Sequence, residues 1–177
     1  MNCVGWGQDK DGDRTFIRHM ATHHEQGIEL ARIAVARARD PHLRALARLM
    51  TANQTGENAV FAQWWRSWFD DPMPVCSSEE RASMPGLLTP DRLDRLRAID
   101  GAEFDRLFMA EMTYHHAEAV KMADSEIQGA GDPRLKLVAH AIRHEQQGEI
   151  ALMKGTSGWL AVQTAISNML RDNVNEP

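Results

Sequence analysis

An internal register constrains this chain more than any other feature. His23-His24 and His115-His116 lie 92 positions apart. At that offset, without a gap, Phe16 falls on Phe108, Met20 on Met112, Ala31 on Ala123, Leu43 on Leu135 and Ala47 on Ala139. Asp40-Pro41 matches Asp132-Pro133, and the pattern Q-x-G-E-x-A occurs at Gln54, Gly56, Glu57, Ala59 and again at Gln146, Gly148, Glu149, Ala151. A fixed-period match of this length reads as two copies of one supersecondary unit. Within the first copy, Phe16, Ile17, Met20, Ile28, Ala31 and Val35 recur at helical steps, and Asp40-Pro41 supplies the N-cap and first residue of a second helix. Each unit is therefore a tight helical hairpin. No strand pattern competes, so the expectation is an all-α, ferritin-like four-helix bundle built from two tandem repeated hairpins.

The register also sets the boundaries, within a single domain over 1–177. Hairpin one covers 13–69, a linker 70–100, hairpin two 101–154, and a C-terminal amphipathic helix 159–171. Prolines interrupt any period between Asp70 and Leu88, and Thr89-Pro90 opens a short helix through Leu93 and Leu96. Trp64, Trp65, Trp68 and Phe69 read as an aromatic plug at one end of the bundle, with a ligand platform as the alternative.

Composition narrows the function classes. Hydrophobic residues make up 43% and charged residues 25%, ordinary globular values. A net charge of −5 gives no basic field for nucleic acid, and no apolar run approaches the ~18 residues of a membrane span. Met1 to Lys10 lacks the apolar core of a signal peptide, which leaves a cytoplasmic chain or the mature part of an exported one. Cys3 and Cys76 lie outside both repeats. They read as a disulfide of an oxidising compartment, as two free thiols, or with Cys3 as a lipid attachment point.

The chemistry concentrates on one helical face. At 100° per residue Met112, His115, His116, Ala119 and Met122 share an arc of roughly 120°. Imidazole nitrogen and thioether sulfur suit Cu(I), and imidazole also accepts Zn or Ni. On the last long helix Gln146, Glu149 and Met153 share a face with Ile142, which leaves His140 and His144 on the far side. Gln54/Glu57 and Gln146/Glu149 are placed to hydrogen-bond the facing imidazoles, as residues behind a metal ligand do. Without a metal, the same contacts would satisfy buried histidines. No Glu-x-x-His occurs, so the ligand pattern of a di-iron bundle is missing. No nucleophile elbow or phosphate loop is present either.

The pattern F-x-x-x-M-x-x-H-H-x-x-A-x-x-M-A, followed by D-P and then Q-x-x-E-x-x-x-M, resembles the ferritin-like bacterial family labelled domain of unknown function three-zero-five. The resemblance covers Asp13 to Phe69 and Gly101 to about Met153. It implies an exported, Met- and His-rich protein, secreted or anchored as a lipoprotein, similar to periplasmic copper-binding proteins. Carried over by position, the implied metal residues of the second copy are Met112, His115, His116, Gln146, Glu149, Met122 and Met153. Those of the first are Met20, His23, His24 and Glu57, with Gln54 beside them. The first copy departs at Gly27, Leu30 and Phe61, where the second has Ala119, Met122 and Met153. The resulting expectation is a copper-binding protein of storage, scavenging or tolerance whose partner is a metal ion, with a homodimer as an option. A structural or interaction bundle without metal is the alternative, and a metalloenzyme is the least supported class.

Overall fold

A computed structural model of the chain describes residues 10–129 and 131–155. Among these residues the protein is all-helical, with α1 Lys10–Arg37, α2 Pro41–Trp68, α3 Ser78–Ser83, α4 Pro90–Ala98, α5 Gly101–Gln128 and α6 Pro133–Met153. The C-terminal amphipathic stretch expected over 159–171 and Cys3 lie outside the described residues.

The helix starts follow from local chemistry. Asp40 and Asp132 each accept from the backbone N–H two residues on, and Pro41 and Pro133 occupy the first turns, where a missing N–H costs nothing. Thr89 caps α4 by accepting from Arg92 N–H, three residues on, with Pro90 in the first turn. The linker, where prolines predict loop, holds one further helix, α3. Ser77 accepts from Glu80 N–H while the Glu80 carboxylate accepts from Ser77 N–H, a complete capping box.

α1 packs along α2, α5 along α6, and α1 meets α5 between the two pairs, whereas α2 and α6 touch little. Two carboxylates set the direction of that central contact. Asp13, at the start of α1, accepts from the backbone N–H of Asp132, just beyond the end of α5, at 3.0 Å. Asp105, in the first turns of α5, accepts from the N–H groups of Arg39 and Asp40, just beyond the end of α1, at 2.9 and 3.0 Å. α1 and α5 therefore run antiparallel, and each opens with an aspartate that caps the other hairpin's turn. Both aspartates are nearly buried, at 3% and 9% exposed, so the backbone donors they satisfy have little water to replace them.

The core divides into two halves. One gathers Leu30, Ala31, Ala34, Met50, Phe104, Phe108, Met112 and Met153. The other gathers Phe16, Ile17, Met20, Phe61, Trp65, Ala119, Ala123, Leu135 and Ile142, with Met122 packed against it. The tryptophans close the second half. Trp64 stacks on Trp68 at 4.9 Å, Trp65 donates its indole N–H to Asp71 O at 2.8 Å, and the Arg14 guanidinium lies over Trp65 and Phe69. These contacts favour packing over a ligand platform.

Replacing Asp105 by Ala leaves two backbone N–H groups without their acceptor and should lower stability by about 2–3 kcal/mol. Asp13→Ala, which frees the single Asp132 N–H, should cost less, about 1–2 kcal/mol. Because the caps sit at opposite ends of the α1–α5 contact, the two losses should add in a denaturant titration of the double variant.

Candidate metal centre

Where α1 crosses α5 the chain buries four histidines completely. His23, His24, His115 and His116 are each 0% exposed. His23 and His115 face each other with ring centroids 3.8 Å apart, tilted by 39°, and His115 Nε2 lies 3.2 Å from the His23 carbonyl oxygen. The other two rings point away from the crossing, each toward its own hairpin's second helix. His116 Nε2 lies 2.6 Å from Glu149 Oε2, and His24 Nε2 lies 2.8 Å from Glu57 Oε2 at an angle outside a good hydrogen bond. Both glutamates thus stand behind the facing histidines.

The two glutamines behave otherwise. Gln54 and Gln146 are fully buried, yet neither side-chain amide has a hydrogen-bond partner among the described residues. The expected amide-to-imidazole bonds are not made. Gly27 explains part of this: a Cβ there would overlap Gln54 Oε1 and come within 2.9 Å of His115 Cε1, so the Gln54 amide occupies the space an alanine would fill. His115 Nδ1 and His116 Nδ1 are likewise without partners. Buried polar atoms without partners are costly in a packed interior, and an uncommitted ring nitrogen is a ligand in waiting.

The thioethers do not converge as a single-helix projection suggests. Met112 and Met122 share a face of α5, but ten residues of helix separate them by about 15 Å along the axis, too far for one ion. Antiparallel packing instead sorts the sulfurs between the two core halves. Met112 joins Met153 and Leu30 in one core half, and Met20 joins Met122 and Phe61 in the other. Leu30 and Phe61 thus fall in different halves, and each half keeps methionines: Met50, Met112 and Met153 in one, Met20 with Met122 in the other.

Electrostatics keep the crossing histidines neutral. Burial, reinforced by the neighbouring imidazoles, pushes His23 and His115 well below the ordinary histidine range. Neutral imidazole is the ligating form. Glu145, one residue before Gln146, is pushed up to about 8 by burial and by Glu57 and Glu149, so it is largely protonated at neutral pH. Sequence reasoning passed over Glu145, and only the distance between α2 and α6 reveals it.

The linker closes the centre from one side. Gly86 has φ +90, and a Cβ there would lie 2.6 Å from His23 Nε2 and 2.8 Å from Glu118 Cβ. Gln26 pins the strand that follows, donating to Leu88 O at 3.0 Å and accepting from Leu88 N–H at 2.6 Å. Of the remaining histidines, His42 is exposed, His140 and His144 flank the Arg143 guanidinium, and His19 faces the linker rather than His23.

Among the described residues, three histidine, cysteine or carboxylate donors come within 4.8 Å of one another at His19, Cys76 and Glu80, outside this centre. The central residues pair in twos. Such an arrangement suits an ion content with few ligands, as Cu(I) is, more than a hard cation that wants six or more oxygens.

The depressed histidines carry a consequence for the metal-free protein. Below about pH 6.5 the unfolded chain takes up protons at positions 23 and 115 that the folded chain refuses, so stability falls with falling pH. Each contributes about 1.4 kcal/mol per pH unit until its own folded value is reached. Urea titrations between about pH 7 and 5 should show this loss, and His23→Gln should reduce its slope.

Comparison with known proteins places the chain in a family. The family model described as Domain of unknown function (DUF305) matches residues 13–157. No curated protein matches the chain. Among solved structures, CopM in its Cu(I)-bound form is 31% identical and superposes with a TM-score of 0.70 over 81% of this chain and 93% of its own. A DUF305 fragment from Deinococcus radiodurans is 26% identical, with a TM-score of 0.74 over 82% and 94%. A DUF305 protein from Streptomyces coelicolor, described as a candidate secreted protein, is 28% identical, with a TM-score of 0.71 over 80% and 89%. CopM has also been solved with Cu(II) and with silver. The chain belongs to the DUF305 family.

Proposed function

We propose that this protein binds copper, held chiefly as Cu(I), and serves storage, scavenging or tolerance outside the cytoplasm rather than turnover. In this reading the chain is one domain, a ferritin-like four-helix bundle of two duplicated hairpins. Its metal residues are His23, His24, His115 and His116, with Met20 and Met122 on one side of the crossing and Met112 and Met153 on the other. Glu57 and Glu149 orient the outer imidazoles, and Gln146 lines the same interior.

The observation that carries the proposal is the burial of four imidazoles, two of them held neutral, with His115 Nδ1 and His116 Nδ1 left without a hydrogen-bond partner among the described residues. Packing alone gives no reason to accept that cost twice over. Copper and silver in CopM support the choice of ion, and the Streptomyces coelicolor protein supports export. The described helices include none long and apolar enough to cross a membrane. If the ion is bound, soft sulfur and neutral nitrogen supply the ligands, and the carboxylates balance its charge through the histidines.

Titration of the metal-free protein with Cu(I) against a competing chelator should show stoichiometric binding. His115→Ala combined with Met112→Leu should weaken it at least tenfold. Binding unaffected by that change would make the buried quartet a packing element of a structural or interaction module.

The pH profile tests the same ligands. Because His23 and His115 are held neutral well below the ordinary histidine range, Cu(I) affinity should stay level from about pH 7.5 through pH 6.5 and fall only well below it. A tenfold loss per unit beginning at pH 6.5 would point instead to exposed histidines as the ligands.

A further inference from the structure

We propose that His19, Cys76 and Glu80 form a second metal site, separate from the central histidines, for a borderline divalent ion of the Zn(II) type. One ligand atom from each of the three lies within 4.8 Å of the others. They come from three different elements: α1, the linker and α3. Around a tetrahedral Zn(II), with bonds of about 2.0–2.3 Å, ligand atoms stand ~3.5 Å apart, so a contraction of about an ångström closes the site.

Each ligand is fixed by something other than a metal. His19 is held by α1, one turn before His23. Glu80 is held by the capping box, in which its Oε2 accepts from Ser77 N–H at 2.7 Å. Cys76 is only 4% exposed, with a free thiol whose contact to Arg18 O is a long 3.9 Å. A buried thiol beside an imidazole and a carboxylate is a mixed sulfur, nitrogen and oxygen set, which Zn(II) accepts and which Cu(I) would use less well through its oxygen.

A cation already sits there. The Arg18 guanidinium donates to Glu80 Oε1 at 2.5 Å, and the same nitrogen lies 3.5 Å from His19 Nε2. Arg18 is thus a built-in competitor. Metal binding displaces it toward solvent, deprotonates the Cys76 thiol with loss of one proton, and ties the linker to α1.

Co(II) is the probe, because a thiolate ligand gives a sulfur-to-cobalt charge-transfer band in the near ultraviolet that imidazole and thioether do not. In the full chain carrying Cys3→Ser, Cys76 is the sole thiol. Co(II) should raise the band at one ion per chain, and Zn(II) should bleach it. Cys76→Ser should abolish it, His19→Asn and Glu80→Gln should each weaken Co(II) binding at least tenfold, and Arg18→Gln should tighten it several-fold. No band, or a band whose affinity is indifferent to His19→Asn, overturns the proposal. Should a variant lose helicity by circular dichroism, protection of Cys76 from alkylation by Zn(II) in the Cys3→Ser protein decides: protection supports the site, and an unchanged rate removes it. Either result leaves the Cu(I) titration untouched, since that rests on other residues.

Discussion

Packing α1 against α5 puts four imidazoles where water cannot reach them, and much of the remaining structure can be read as making that tolerable. Glu57 and Glu149 meet the outer rings, and mutual burial keeps the inner pair uncharged. Asp13 and Asp105 lock the two helices in antiparallel register from both ends, so the rings cannot slide apart to find solvent. A polar interior of this kind is stable only when its frame is rigid, because a partly satisfied network in low dielectric is costly. The frame here comes from reciprocal caps, and the apolar halves of the core fill in on either side.

Much of this was legible in the chain. The 92-residue register predicted where the helices begin, because Asp-Pro is a capping signal that acts locally and needs no partner. It also named the histidines and the glutamates that face them. What it could not supply was the pairing of side chains between helices. A helical projection places Met112 with Met122, but it has no axial coordinate and no knowledge that α1 runs against α5. The sorting of Met20 with Met122, and of Met112 with Met153, exists only once that direction is set.

Two other features were hidden for different reasons. α3 was signalled by Ser77 and Glu80, three residues apart, but the surrounding prolines drew attention to loop. Glu145 and Asp105 carry no signal in the sequence, since helical phase says which face a residue occupies and not what arrives there from a distant segment. The family resemblance was carried by the M-x-x-H-H face, the part of the sequence in which local pattern and tertiary role coincide.

The glycine at position 86 turns the linker into more than a connection. With φ +90 and no side chain, its backbone rests directly on His23, while Gln26 holds Leu88 on both its N–H and its carbonyl. An ion travelling to the crossing from this side must first part that seal, breaking the paired hydrogen bonds to Gln26 before it meets a ligand. If copper occupies the crossing as proposed, exchange along this route would wait on the linker as well as on the bonds inside. Under that proposal, a centre filled during a brief excess would empty slowly after the excess has passed.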